Sequence, residues 1–159
     1  MIITSWRLVK SRYVQSAFSG EGPRRYGGRW NSKGTPIVYT ASSLSLAAME
    51  ILVNTLSASP SYLLHLFQAI PVRFDASLVD SDVEIPGDWD QKPIGSASRT
   101  FGDEWVKKNA ALILEVPSVV VPIESNFLIN PHHPDFSKIT IGDPMDFQFD
   151  GRFLRRKQR

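Results

Sequence analysis

Arg29, Tyr39 and Glu50 stand on three successive elements of the stretch GGRWNSKGTPIVYTASSLSLAAMEIL, and each is of a type that does chemistry on a nucleotide. A guanidinium donates to phosphate in a planar fork and does not lose its charge. An aromatic ring offers a stacking face to a flat base. A carboxylate stabilises a developing oxocarbenium ion while bonding a ribose hydroxyl. Together these types fit cleavage of a glycosidic bond in a phosphate-bearing nucleotide. Glu50 is the strongest of the three, because it is the only ionisable side chain between Leu44 and Leu56. An unpaired charge inside an apolar helix is costly, so this carboxylate must find a partner or face a cleft. Taken singly, Arg29 also fits a surface-loop charge and Tyr39 a core strand tyrosine. Arg7, Ser118 and the stretch from Asn126 to Asn130 complete the candidate set, with Asn126 as a substrate contact. Of the four tryptophans, Trp30 is assigned to the ligand because it adjoins Arg29. Trp6, Trp89 and Trp105 read as core or loop anchors.

The elements that position these residues follow from local pattern. TSWRLV (4–9) reads as a first strand, and residues 19–36 as a Gly-rich basic loop. PIVYTA carries the β-branched and aromatic content of a strand. Ser42 and Ser43 supply the N-cap of a helix running to about Leu56, where SASPS stops it. LLHLFQAIPVRF (63–74) reads as a longer strand with Pro71 at a bulge or edge. Residues 75–93 are acidic and turn-rich and read as a loop. Residues 96–109 fit a short amphipathic helix despite Gly102. ALILEV and SVVVPI predict two strands around Pro117, FLI (127–129) another, and NPHHPD a turn. KITIG and the aromatic run DFQFDGRF close the chain. Helices and short strands mix without a βαβ rhythm, which predicts an α+β fold.

Composition narrows the class further. At 159 residues the chain fits one domain that buries roughly 70% of its unfolded surface. It has no cysteine, which excludes disulfides, thiolate nucleophiles and Cys-based metal sites. The apolar run at the N-terminus is too short for a signal peptide, and nowhere do 18 uncharged apolar residues follow one another; a cytoplasmic protein with no membrane partner is expected. The net charge of +2 hides an asymmetry: residues 152–159 hold five bases and no acid, leaving 13 bases against 16 acids elsewhere. Residues 1–40 hold seven bases against Glu21 alone, whereas residues 75–90 hold six acids and no base. A basic N-terminal third beside an acidic loop fits a localised anion site better than a nucleic-acid footprint. There is no phosphate-binding P-loop, no H-E-x-x-H and no G-x-S-x-G. The adjacent His132 and His133 read as turn residues, and no metal site is expected.

Segments along nearly the whole chain resemble one family in its order. These are WRL (6–8), GGRWNSKGTPIVYTA (27–41), AAMEILV (47–53), SRTFGDEW (98–105), VPSVVVPIESNFLINPHHPDF (116–136) and FQFDGRF (147–153). They are similar to the RES-domain toxins of bacterial toxin–antitoxin modules, named for an Arg, a Glu and a Ser. By resemblance the Arg is Arg29, the Glu is Glu50, the active-site tyrosine is Tyr39 and a first-strand Arg is Arg7. The Ser is most similar to Ser118, with Ser125 as the competitor. The resemblance implies residues 1–153 as the RES domain and residues 154–159 as a basic tail. It implies a fold like that of the ADP-ribosyltransferases: a compact α+β domain with two small mixed sheets around an NAD cleft and flanking helices. The implied activity depletes NAD, as substrate and not as a prosthetic group, by hydrolysis or phosphorolysis of the nicotinamide–ribose bond. Arg7 and Arg29 would hold its pyrophosphate. A protein ADP-ribosyltransferase using the same cleft is the near alternative. The implied partner is an Xre-like helix-turn-helix antitoxin that covers the active site and supplies any contact with nucleic acid. An RNA-cleaving toxin, suggested by the basic segments and aromatics, lacks a His or metal-carboxylate set in workable order.

Overall fold

Eight strands join into one sheet in the computed structural model, which describes residues 1–55 and 59–154. In chain order the strands are β1 (Ile2–Lys10), β2 (Val38–Ala41), β3 (Phe67–Asp75), β4 (Val79–Asp80), β5 (Ile113–Pro117), β6 (Ser125–Ile129), β7 (Thr140–Ile141) and β8 (Met145–Phe147). Their spatial order is β4-β5-β6-β2-β1-β3-β7, with β8 pairing further along β3. Every pairing is antiparallel except β4 with β5. The fold is thus a mixed α and β single domain.

The two separate sheets expected from resemblance are one continuous sheet, with a physical reason for the difference. β1 pairs with β3 over nine positions but with β2 at one, Trp6 opposite Ala41. The sheet therefore has two well-laddered halves joined at a narrow seam. Where β1 and β2 diverge, the Tyr39 carbonyl is bonded by a side chain, Arg7 Nη1, at 3.0 Å.

Among the described residues three α-helices flank the sheet: α1 (Glu21–Tyr26), α2 (Leu44–Thr55) and α3 (Ser96–Lys108). The start of α2 agrees with the capping expectation, since Ser43 Oγ accepts from Leu46 N at 3.1 Å. Its expected end at Leu56 lies outside the described residues. Leu46 and Ala47 of α2 pack on Leu8, Ala41, Phe67 and Ala69, which fixes the helix across the seam. α3 ends as a left-handed cap at Asn109, φ 51°, whose N–H reaches the carbonyls of Trp105 and Val106. Gly102 of α3 is indispensable, because a Cβ there would lie 1.7 Å from the Trp30 carbonyl oxygen.

Five local expectations need correction, two of them because α1 lies within the expected basic loop and β4 within the expected acidic loop. Residues 60–64 form a short 3-10 turn beginning at Pro60, and the strand starts at Phe67. Pro71 marks no bulge, and the edge it marks is local, a gap on the outer side of β3. It pairs opposite Trp6, and its carbonyl accepts from Gly142 N at 2.8 Å, so its missing N–H falls between the short β7 and β8 pairings. SVVVPI is not a strand but a closed loop: Ser118 N donates to Glu124 O at 2.9 Å, and Ser118 Oγ takes the N–H groups of Val120 and Val121. A serine hydroxyl competing for main-chain donors, with Pro122 supplying none, favours the loop. Leu154 ends a last 3-10 turn, and the rest of the expected basic tail lies outside the described residues.

Candidate active site

A cleft of about 490 Å³ opens along the seam, within the size range of small-molecule sites. Its walls take Arg7 from β1, Arg29 and Trp30 from the basic loop, Tyr39 from β2, Glu50 from α2 and Asn126 from β6. Residues scattered over 120 positions of sequence meet here because β2, β1 and β6 are neighbours in the sheet and α2 crosses them.

The Glu50 carboxylate is oriented by two donors on the same oxygen. Ser118 Oγ and Asn126 Nδ2 each donate to Oε1 at 2.8 Å. Among the described residues Oε2 has no partner. A carboxylate so held has one oxygen committed to the protein and the other available to a ligand. Ser118 is fully buried and is itself fixed by the Val120 and Val121 amides, so the loop after β5 and the carboxylate are tied together. The competing Ser125 bonds Glu115 Oε1 at 2.7 Å and lines a separate cavity of about 230 Å³. Of the two serines, Ser118 is the one brought to Glu50. Among the described residues Asn126 Oδ1 is buried without a hydrogen-bond partner, an orphaned acceptor on the same amide that bonds Glu50.

Tyr39 is gripped at its hydroxyl, which donates to Asn31 Oδ1 at 2.6 Å and accepts from Trp30 N at 3.1 Å. Asn31 is in turn anchored on the carbonyls of Pro23 and Thr35. Burial pushes the Tyr39 phenol well above its usual range, so it acts as a neutral donor. Gly28 permits this arrangement, since a Cβ there would come within 2.7 Å of the Tyr39 hydroxyl.

The two arginines expected on phosphate are engaged with the main chain. Arg7 Nε and Nη1 donate to the carbonyls of Ala17 and Tyr39 at 2.6 and 3.0 Å. Burial lowers its pKa to about 10, which leaves it charged at neutral pH. Arg29 Nη1 donates to the carbonyls of Trp89 and Gln91 at 2.9 and 3.1 Å. Its pKa is also lowered, by burial first, against the opposing pull of Asp90. Trp30 is 2% exposed, stacked on Trp89 at 5.8 Å between ring centroids and met edge-on by Phe101. It builds the wall of the cleft and gives a ligand little open ring. Sequence reasoning missed Asn31, which sets Tyr39, and Lys92, which lines the cleft from the end of the acidic segment. His132 and His133 lie in their expected turn, where His133 Nδ1 accepts from Asp135 N at 3.0 Å.

Comparison with known proteins shows the family of the chain. The RES domain profile matches residues 4–150. The chain is 36% identical over 156 residues to a protein named Toxin Res from Photorhabdus laumondii, covering 96% of this chain and 98% of that one. It is 36% identical over 163 residues to one named Prs ADP-ribosylating toxin from a Sphingobium species, covering 98% and 99%. The fold is similar to a chain in the crystal structure of the M. tuberculosis MbcT-MbcA toxin-antitoxin complex, with a TM-score of 0.73 at 17% identity over 93% of this chain and 85% of that one. The chain belongs to the RES domain family.

Proposed function

We propose that the protein is the toxin of a toxin–antitoxin module and that its cleft breaks the nicotinamide–ribose bond of NAD. The observation that carries this reading is the Glu50 carboxylate, held on Oε1 by Ser118 and Asn126 with Oε2 left for a ligand. The bond from C1′ to the pyridinium nitrogen breaks heterolytically, and its electron pair stays on the ring nitrogen and cancels the positive charge there. Nicotinamide therefore leaves neutral without an acid or a metal. The oxocarbenium left on the ribose is stabilised by Glu50; a unit charge pair about 4 Å apart at a partly screened site is worth about 4 kcal/mol. An acceptor oxygen then adds to C1′ and gives up its proton. Arg7 and Arg29 make the surrounding wall positive for a dinucleotide, and Tyr39 supplies a fixed neutral ring beside it.

Incubating the purified chain with NAD and following nicotinamide release by chromatography tests the proposal. No release, with or without phosphate, sinks it. A second reading is favoured by the Sphingobium relative, whose name is an ADP-ribosylating toxin. There a protein side chain replaces water or phosphate as acceptor. NAD labelled in its adenosine half separates the two, since label retained on a protein band marks transfer and free ADP-ribose or its phosphate marks depletion.

The partner in this reading is an Xre-like helix-turn-helix antitoxin that covers the cleft. Beside Glu50, the outer face of α2 presents Met49 at 45% and Val53 at 52% exposure, apolar surface suited to burial under another protein. The solved neighbour of similar fold comes from a toxin–antitoxin complex. No helix among the described residues is long and apolar enough to cross a membrane. A cytoplasmic site of action fits the lack of cysteine and the cellular location of NAD.

A further inference from the structure

A phosphate-bearing ligand needs donors that are free to reach it, and both cleft arginines are tied to the main chain, Arg7 through Nε and Nη1 and Arg29 through Nη1. Arg7 spans the carbonyls of Ala17 and Tyr39 across the β1–β2 seam. Arg29 spans the carbonyls of Trp89 and Gln91. Turning Arg7 to a ligand would strand a buried main-chain acceptor at Ala17, at about 1–3 kcal/mol, and turning Arg29 would release the backbone it holds. Lys92 lines the same cleft but is exposed, and among the described residues no hydrogen bond or ion pair holds it. A compact ammonium on a flexible stem reaches a phosphate oxygen without breaking a protein contact.

The segment that delivers Lys92 is fixed by its neighbours. Trp89 stacks on the buried Trp30, with the rings 14° from parallel. Arg29 bonds the carbonyls on both sides of Asp90, ending one residue short of Lys92. Ile94, two residues later, also lines the cleft.

We propose that Lys92 is the residue that meets the phosphate oxygens of the cleft's ligand, and that Arg29 is its positioning residue, holding the Trp89–Gln91 backbone that carries it. This deepens the reading of the cleft as a site for a phosphate-bearing nucleotide and rests on it. The phosphate belongs either to the pyrophosphate of the dinucleotide or to free inorganic phosphate serving as acceptor.

Calorimetric titration of the purified chain with inorganic pyrophosphate, and separately with inorganic phosphate, tests the assignment without requiring turnover. Lys92→Gln weakens binding of at least one anion by about tenfold or more, and Lys92→Arg restores most of it. Arg29→Met weakens the same binding, and the double variant is no weaker than the worse single one, as expected when one residue acts through the other. Unchanged binding by Lys92→Gln, or no binding of either anion by the unsubstituted chain, overturns the assignment of Lys92. Additive losses overturn the positioning role of Arg29.

Kinetics separate the sources of the phosphate. A raised KM for NAD with no change for nicotinamide riboside, which lacks the pyrophosphate, points to the dinucleotide. A lost response to added phosphate at unchanged KM for NAD points to the acceptor. If the unsubstituted chain leaves NAD intact while Lys92-dependent anion binding persists, the NAD reading falls and the Lys92 assignment stands.

Discussion

Ser118 Oγ donates to Glu50 Oε1 at 2.8 Å, although 68 residues separate the two along the chain. The same hydroxyl accepts the amides of Val120 and Val121, so it joins the carboxylate to the loop whose Val119 and Val120 line the cleft. Ser118→Ala removes all three bonds at once. It is expected to lower the rate of nicotinamide release by about one to two orders of magnitude while leaving the chain folded, since a lost hydrogen bond to a charged group is worth about 1.5–3 kcal/mol. Steady-state kinetics with circular dichroism check both halves. Ser125→Ala, which breaks a bond to Glu115, leaves the rate near its original value.

Tyr39→Phe leaves Asn31 Oδ1 without its 2.6 Å donor and Trp30 N without its 3.1 Å acceptor. Two buried groups losing partners, at about 1–3 kcal/mol each, predict a destabilisation of about 2–6 kcal/mol, read as a lower urea midpoint at unchanged slope.

The pH dependence of Tyr39 has a definite sign. Its phenol is raised above the ordinary 10.0 by burial, so folded and unfolded chains both carry the proton below about pH 10. Above that, the unfolded chain deprotonates first, and stability falls as pH climbs through the folded value. Urea midpoints for Tyr39→Phe should therefore decline less steeply on the alkaline side than those of the unsubstituted chain. Parallel alkaline curves for the two proteins would contradict this.

Gly102→Ala separates helix propensity from packing. Alanine is the better helix former by about 1 kcal/mol, so α3 alone predicts stabilisation. The added Cβ would lie 1.7 Å from the Trp30 carbonyl oxygen, main chain that cannot swing aside. Overpacking is expected to win and to cost about 1–3 kcal/mol or more. A raised melting temperature would show that α3 moves freely against the Trp30 loop.

Arg7→Lys keeps a positive charge but cannot span two carbonyls. It is expected to destabilise the chain by about 1.5–3 kcal/mol, because the seam between β1 and β2 has one residue pairing and depends on the Nη1 bond to Tyr39. Hydrogen exchange checks this, with protection lost first from β2.

What the sequence made legible was local. Glu50 stood out because one carboxylate on an apolar helix is a signal within a few turns, and Ser43 because capping is a contact three residues long. The choice between Ser118 and Ser125 was not legible, since it depends on a loop closing over a helix 68 residues away. The single sheet was hidden because one pairing at Trp6 and Ala41 joins two halves whose other ladders are self-sufficient. Arg7 and Arg29 were read as ligand contacts from their chemistry, and their main-chain carbonyl partners depend on where distant loops fall. Lys92 gave no signal at all, lying in a segment without periodicity whose position is set by Arg29 and the Trp30–Trp89 stack.

In the proposed reaction Glu50, whose Oε2 has no partner among the described residues, stabilises the ribosyl cation as nicotinamide leaves. The most direct test is nicotinamide release from NAD under saturating substrate by the unsubstituted chain and by Glu50→Gln, an isosteric change that keeps an acceptor oxygen for Ser118 and Asn126. Glu50→Gln is expected to lower release by about two to three orders of magnitude with unchanged circular dichroism, in line with the loss of about 4 kcal/mol of charge stabilisation. Release by Glu50→Gln at the rate of the unsubstituted chain would contradict it.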